Sequence, residues 1–207
     1  MSTLYVQYGC GWCAPEGWLN FDASPTLRFE RLPVIGGLYT RNANRFPANV
    51  RFGDVVRGLP VADDSCDGIY CSHVLEHLAL EDFDIALANT RRYLKPGGTF
   101  RLVVPDLQRI ARDYLANPSI GAAHDFMEDA FIGERQRPRG LGGLLRSWLG
   151  NSRHQWMWDE KSMTERLQQA GFTRIRRCAF GDAADRHFDA VEDVTRFEGC
   201  LAMECSK

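Results

Sequence analysis

Two cysteines near the start of the chain are spaced for chemistry. Cys10 and Cys13 form a Cys-x-x-Cys pair, the spacing of dithiol redox centres and of half of many zinc sites. The same stretch places Gly9 and Gly11 directly after an apolar run, as in loops that bind nucleotides. The residues therefore admit three interpretations: a redox centre, a metal site or a nucleotide-binding turn.

The surroundings of the cysteine pair favour the turn. A thioredoxin-like pair opens a helix that stabilises its thiolate, whereas here the connection 14–17 leads almost at once into another apolar run. Structural zinc generally takes four ligands, and Cys66 and Cys71, far along the chain, do not form a second pair of this spacing. We therefore expect no metal site, and cysteines that serve as small buried side chains.

The overall composition is that of an ordinary globular protein. The 207 residues are 44% hydrophobic, and the formal net charge of −2 gives no general attraction to nucleic acid or an anionic membrane. No apolar run is long enough to span a bilayer, and the first residues lack the pattern of a signal peptide. The seven cysteines are an odd number spread through apolar segments, so we expect reduced thiols and a cytoplasmic location.

Apolar runs and helical periods alternate along the chain. The runs predict strands at 4–8, 17–22, 49–54, 67–72, 99–105, 173–180 and 198–205. Helical periods occur at 80–94, 107–115 and 159–171, and the Lys95-Pro-Gly-Gly98 turn ends the first of these helices. This alternation predicts an α/β fold with a doubly wound, mostly parallel sheet.

The residues that follow the predicted strands outline a pocket for a nucleoside. Ligands of open α/β sheets bind beyond the carboxyl ends of the strands. Gly9 and Gly11 would let a ligand approach the backbone, and the Asp22 carboxylate suits the hydroxyls of a ribose. The other strand ends carry Asp54, Ser72, His73, Pro105 and Asp106.

Several segments together resemble the class I S-adenosylmethionine-dependent methyltransferases. They are the Gly9-Cys-Gly11 turn, the strand that ends at Asp22, the run "FGDVVRGLPVADDSCDGIYCSHVLEHL" (52–78), "RRYLKPGGTFRLVVPDL" (91–107) and "HQWMWDEKSMTERLQQAGFTRI" (154–175). The resemblance implies a Rossmann-like sheet of seven strands with an antiparallel strand near the end. It also implies S-adenosylmethionine (SAM) as cofactor and S-adenosylhomocysteine (SAH) as product.

The same resemblance assigns roles to the residues at the strand ends. Gly9, Cys10 and Gly11 would line the methionine portion of the cofactor, and Asp22 would hold its ribose. The rest of the implied cofactor site is Asp54 and Val55 at the adenine, with Ser72 and His73 near the sulfonium. Gly11 and Asp22 are too close in sequence for the helix that usually separates them. The chain is in this respect similar to a compact subgroup of predicted methyltransferases, of the kind called type 11.

Methyl transfer needs a general base only where the acceptor carries a proton, and histidine is the commonest choice. His73 is the first candidate because it follows a strand end, His154 is the second and Asp106 the third. Each has an ordinary structural alternative: His73 would bond to backbone, and Asp106 would cap a helix.

A helical and Gly/Arg-rich insertion at about 107–158 is expected to form a lid within a single domain spanning 1–207. Its arginines 137, 139 and 146 would hold an acidic or phosphorylated acceptor, or stay solvated. Trp156 and Trp158 would stack on an acceptor, or pack. We expect a small-molecule or glycan acceptor and no nucleic acid, and the sequence leaves a homodimer open. A non-catalytic binding protein of the same fold is the main alternative.

Overall fold

The computed structural model describes residues 3–33, 45–133 and 153–207. These residues form one seven-stranded sheet in the order β3-β2-β1-β4-β5-β7-β6. The strands are β1 (Tyr5–Tyr8), β2 (Trp18–Asp22), β3 (Val50–Phe52), β4 (Cys66–Ser72), β5 (Leu94–Pro105), β6 (Thr173–Arg177) and β7 (Cys200–Ser206). Pairing is parallel from β3 through β5, whereas β7 runs antiparallel to both β5 and β6. The predicted doubly wound sheet with its antiparallel strand near the end is confirmed.

The helices pack on this sheet or connect its strands. They are α1 (Pro25–Glu30), α2 (Leu80–Tyr93), α3 (Leu107–Ala116), α4 (Ala122–Asp129), α5 (Glu160–Gln169) and the short α6 (Val194–Phe197), with 3₁₀ turns at Leu75–His77 and Arg186–Ala190. Helix α2 buries Phe83, Ala86 and Leu87, which recur at the helical spacing that predicts it. None of the described helices is long and apolar enough to cross a membrane.

The Lys95-Pro-Gly-Gly98 segment differs from its prediction as a turn between helix and strand. Helix α2 ends at Tyr93, and β5 begins at once with Leu94 opposite Cys66 on β4. The register then shifts, so that Gly68 pairs with Thr99. The extra residues bulge out of the ladder, and Gly97 takes a φ of +80°, which glycine adopts without strain. The segment is therefore a bulge within the strand.

The short connection between β1 and β2 is confirmed as lacking a helix, because residues 9–17 form only turns. Gln7 and Asn20 are cross-strand neighbours and hydrogen-bond to each other at 2.5 Å. Gln7 also donates to the Cys13 carbonyl at 2.7 Å, and Asn20 donates to the Pro15 carbonyl at 3.2 Å. These bonds hold the loop against β1 and β2.

Two cores lie on opposite faces of the sheet. The larger one joins the sheet to α2 and α5 through residues such as Phe83, Met163 and Leu167. The smaller one packs Phe188 and Val191, from the connection before β7, against Trp18 of β2. That connection has no clear hydrophobic period in the sequence, yet it covers the face of the sheet that carries Tyr5, Trp18 and Tyr70.

Candidate active site

The candidate site lies at the carboxyl ends of β1, β2 and β4. Strand β1 is flanked by β2 on one side and β4 on the other, so their following loops share one edge of the sheet. After β1 the chain adds β2 and β3 on one side of β1 and then β4 and β5 on the other side. Doubly wound sheets bind ligands at the point where the strand order reverses in this way. The predicted residues Gly11, Asp22 and Ser72 all lie along this edge.

The two glycines after β1 are needed for different reasons. Both have positive φ, +67° at Gly9 and +53° at Gly11. A Cβ on Gly9 would lie 2.1 Å from Cγ2 of Val74, so Gly9 is required by the close packing of the loop after β4. A Cβ on Gly11 would meet nothing within 4 Å. The open space at the strand end is therefore beside Gly11.

The Asp22 carboxylate is fixed beside this turn. One oxygen accepts the backbone N–H of Gly11 at 3.0 Å, and the other accepts that of Ser24 at 2.8 Å. The side chain is buried, yet each carboxylate oxygen has a second lone pair that can accept another hydrogen bond. Such a carboxylate is oriented in advance for hydroxyl groups of a ligand.

The cysteine pair has no feature of a redox centre. Cys10 is buried among Leu27, Phe46 and Val50, and burial together with the charge of Asp22 raises the pKa of its thiol to about 12. Burial also raises the pKa of Cys13, and both thiols are free. A reactive dithiol needs a stabilised thiolate, so these shifts have the wrong sign.

Asp54 and Val55 follow β3 as predicted, and Asp54 organises its own turn. Its carboxylate accepts the backbone N–H of Val56 at 2.9 Å and lies 3.5 Å from the Arg57 guanidinium. Val55 is buried, and its carbonyl accepts a hydrogen bond from Asn89 of α2. The pair has a structural role here, and its predicted contact with adenine stays a prediction.

Ser72 is the last residue of β4, and His73 follows it. The Ser72 hydroxyl is buried and has no hydrogen-bond partner among the described residues. His73 has a φ of +55°, uncommon for a residue other than glycine, and its Nε2 bonds to the Arg196 carbonyl at 3.1 Å. Burial would lower the pKa of His73, but the Cys200 thiol, the Glu76 carboxylate and this carbonyl raise it to about 10.

The structure brings His154, the second candidate base, to the same end of the molecule. Backbone N–H groups of Gln155 and Trp156 donate to the Glu76 carbonyl, at 2.7 and 3.2 Å. This pairing places the rings of His154 and His77 5.0 Å apart beside the Glu76 carboxylate. Burial lowers the pKa of His154. The buried Glu76 is not among the predicted site residues. Its position in the sequence between His73 and His77 is the signal that could have indicated it.

Asp106, the third candidate base, is engaged in structure. Its Oδ1 caps α3 by accepting the backbone N–H groups of Gln108 and Arg109, and its Oδ2 pairs with Arg177 at 2.9 Å. A carboxylate with both oxygens occupied in this way is poorly suited to take a proton from an acceptor, so we propose no catalytic role for it.

Of the predicted lid, the described part contains α3, α4 and the two tryptophans. Trp158 is buried and stacks on Phe83 with ring centroids 4.1 Å apart, so it belongs to the core and cannot stack on an acceptor. Trp156 is 43% exposed, so stacking of its ring on an acceptor stays a prediction. The predicted anion-binding arginines 137, 139 and 146 lie outside the described residues. A cavity of about 410 Å³ opens elsewhere, between Gln108 and the first turns of α5, and contains none of the predicted site residues.

Comparison with known proteins places this architecture in a family. A family model described as a methyltransferase domain matches residues 9–176, which include the glycine turn, Asp22 and the β4 end. The chain therefore belongs to this family of methyltransferase domains.

Solved structures with the same fold include SAM-dependent methyltransferases. One from Thermotoga maritima, described as a possible histamine N-methyltransferase, is 15% identical with a TM-score of 0.53, covering all of this chain and 83% of that one. Another, from Archaeoglobus fulgidus, is 15% identical with a TM-score of 0.51 and covers 99% and 86%. PigF with SAH is 16% identical with a TM-score of 0.51, covering 99% of this chain and 50% of PigF. At such identities the likeness establishes the class I Rossmann-like fold.

A curated relative matches only part of the chain. An uncharacterized 37.1 kDa protein in transposon TN4556 of Streptomyces fradiae is 32% identical over 113 residues. The match covers 53% of this chain and 32% of that protein, so the chain spans about a third of the relative's length.

Proposed function

We propose that the protein transfers a methyl group from SAM to an oxygen, nitrogen or carbon nucleophile of a small molecule or glycan intermediate. The observation that carries the proposal is the edge of the sheet at which Gly11, Asp22 and Ser72 meet. There an open turn, a fixed carboxylate and the buried Ser72 hydroxyl lie at the ends of neighbouring strands within a methyltransferase domain.

The residues at this edge fit the cofactor. The space beside Gly11 would admit the methionine portion, and Asp22 would accept the ribose hydroxyls with its remaining lone pairs. Ser72 and His73 would lie next to the reacting centre. When bound, SAM would supply a methyl group on a sulfonium. The acceptor would form a bond to the methyl carbon as the carbon–sulfur bond breaks, and SAH would leave with the bonding electrons. The protein's own task is to align the acceptor and to exclude water.

The charge of His73 bears on its predicted role as general base. With its pKa raised to about 10, its imidazole is a cation at neutral pH and has no lone pair to take a proton. In this state we expect His73 to orient neighbouring groups, including Glu76 at 3.3 Å. The pKa of His154 is lowered by burial, but its Nε2 faces Glu76, 3.9 Å away.

Isothermal titration calorimetry of the full chain with SAM and with SAH tests the proposal. We expect both to bind, and incubation with SAM and acceptor mixtures to release SAH. If neither compound binds at millimolar concentration, the methyltransferase proposal is wrong. Binding of both compounds without turnover of any acceptor would favour the alternative, a non-catalytic protein of the same fold.

A further inference from the structure

A cluster of three potential metal ligands lies beyond the end of β4. Glu76, His77 and His154 each offer one ligand atom, and these atoms lie within 4.8 Å of one another. The 3₁₀ turn Leu75–His77 supplies the first two residues. The third comes from the segment that is paired to this turn through the Glu76 carbonyl.

The Glu76 carboxylate is buried without the hydrogen bonds that a buried charge needs. Glu76 is 1% exposed, and neither of its oxygens has a hydrogen-bond partner among the described residues. The nearest nitrogen is Nδ1 of His73, and its ion pair with Oε1 at 3.3 Å leaves Oε2 and the other lone pairs of the carboxylate without a hydrogen-bond partner among the described residues. An ionised carboxylate that is removed from water costs several kcal/mol unless it is paired or coordinates a metal.

The two histidines hold their free nitrogens toward this carboxylate. Nδ1 of His77 bonds to the Arg153 carbonyl at 2.9 Å, and Nδ1 of His154 bonds to the Ala130 carbonyl at 2.8 Å. A carbonyl only accepts, so each Nδ1 carries a proton, and in the neutral form of each ring the lone pair lies on Nε2. A backbone carbonyl bonded to the far nitrogen is the usual support of a metal-bound histidine.

The spacing of these atoms suits an ion better than direct hydrogen bonds. Both Nε2 atoms lie 3.9 Å from Glu76 Oε1, which is too long for a hydrogen bond. Two ligand atoms about 2.1 Å from a tetrahedral ion are about 3.4 Å apart. The three ligand atoms lie within 4.8 Å of one another, so they would move closer together on binding the ion. Two imidazoles with one carboxylate form a ligand set that zinc and other first-row transition metals accept.

We propose that Glu76, His77 and His154 bind a divalent first-row transition-metal ion, for which zinc is a suitable probe. Three protein ligands leave a tetrahedral ion with one open position, as in catalytic rather than structural zinc sites. The site stands on these residues alone. Its use in catalysis rests on the proposed function: an acceptor hydroxyl at the open position would have its pKa lowered and would lose its proton to solvent, without a protein base.

Zinc binding to the full chain, stripped of metal with a chelator, tests the proposal. We expect one zinc per chain by elemental analysis after dialysis, and a zinc-dependent rise in the thermal midpoint. Glu76→Gln and His154→Ala should each weaken zinc binding by more than about 100-fold, the upper end of what loss of an outer-shell partner costs. His124→Ala, which changes an exposed histidine of α4, is the matched control and should keep wild-type affinity.

Results of two kinds would overturn the proposal. One is a wild-type chain that binds no zinc, or folded Glu76 and His154 variants that bind it as tightly as the wild type. The other is loss of zinc in a Cys10→Ala, Cys13→Ala chain with retention in His154→Ala, which would assign the ion to the cysteine pair. Visible absorption of the cobalt-substituted protein gives a second readout of the ligand set. Titration of the same variants with SAH separates the two proposals, because SAH should still bind when the metal site is lost.

Discussion

Two clusters of buried charge in this protein differ in whether their hydrogen bonds are complete. Arg101 on β5 is 1% exposed, and its guanidinium bonds to Glu192 at 2.7 Å, to Asp182 at 3.1 Å, to the Ala179 carbonyl at 3.2 Å and to Glu204. Glu76 is equally buried, but its two oxygens have no hydrogen-bond partner in the described part of the chain. The first cluster is satisfied by the protein itself, whereas the second leaves carboxylate oxygens available to the proposed metal ion.

The contrast separates structural from functional charge. The Arg101 cluster joins β5 and β7 to the connection before β7, which covers the sheet face left open by the short β1–β2 loop. The Glu76 cluster lies beyond the carboxyl end of β4, at the edge where the cofactor is proposed to bind. A buried charge with complete partners stabilises the fold, while an incomplete one points to a ligand.

The largest expected effect on stability is that of Arg101→Met. Removing the guanidinium would leave Glu192, whose side chain is fully buried, without its partner. Loss of one member of such a buried pair costs about 3–5 kcal/mol in free energy of unfolding, measured by urea denaturation. Arg166→Met removes a partly exposed pair with Asp84 and is the control, with an expected loss below about 1 kcal/mol. Equal losses in the two variants would contradict a structural role for the Arg101 cluster.

Acid should weaken the same cluster. Burial would raise the pKa of Asp182, but Arg176, the backbone N–H of Ala179 and Arg101 lower it to about 2. A carboxyl whose pKa is lower in the folded than in the unfolded chain stabilises the fold above its unfolded value, and that stabilisation is lost as the pH falls through the folded value. Urea midpoints of the wild type should therefore fall between about pH 4 and pH 2. Asp182→Asn should make this fall shallower, and an unchanged slope would show that Asp182 is not held by the arginines.

Glu76→Gln should have a much smaller effect than Arg101→Met in metal-free protein. The carboxylate loses no hydrogen bond on becoming an amide, since it makes none with the described residues, and only its charge contact with His73 disappears. We expect the free energy of unfolding to fall by no more than about 1 kcal/mol, because the lost contact with His73 is offset by the removal of a buried charge that lacks hydrogen bonds. A loss as large as that of Arg101→Met would make Glu76 a structural residue and would remove the contrast between the clusters.

Replacing both cysteines of the opening motif should change least. Cys10 packs as a small apolar side chain, and Cys13 is an exposed neighbour in the loop. A Cys10→Ala, Cys13→Ser chain should keep SAH affinity within about threefold of wild type, a difference of less than 1 kcal/mol. A calorimetric loss of SAH binding in this variant would show that the cysteine pair is needed for cofactor binding.

The regular part of the fold follows from local patterns in the sequence. The contiguous apolar runs locate β1, β2, β4 and β5, and the period of α2 locates that helix. Burial on one or both faces of an element requires apolar residues at regular positions in the sequence. The short α1 and α4 were not predicted. Helices of 6 and 8 residues carry few apolar positions from which a period can be recognised.

The candidate site is less predictable than the sheet. Glycines and acidic residues at strand ends can be predicted because each comes directly after an apolar run that the sequence shows. Glu76 and His154 come together because hydrogen bonds join two segments that lie 78 residues apart in the sequence. One of these bonds runs from the Gln155 side chain to the His77 carbonyl. The engagement of Asp106 by Arg177, 71 residues away, is equally non-local. No local pattern in the sequence reports such contacts.

The most direct measurement of the central claim is calorimetric titration with SAH of two glycine variants of one loop. Gly11 and Gly17 both have positive φ, +53° and +84°, and a Cβ on either would meet no protein atom within 4 Å. Gly11 lies at the carboxyl end of β1, whereas Gly17 precedes β2 at the opposite edge of the sheet. Valine at either position carries the same kind of backbone strain.

The proposed cofactor site predicts different results for the two variants. Gly11→Val should weaken SAH binding by more than about 100-fold, equivalent to about 2.7 kcal/mol, while Gly17→Val keeps near wild-type affinity. Equal affinities in the two folded variants, or a loss confined to Gly17→Val, would contradict a cofactor site at this edge of the sheet.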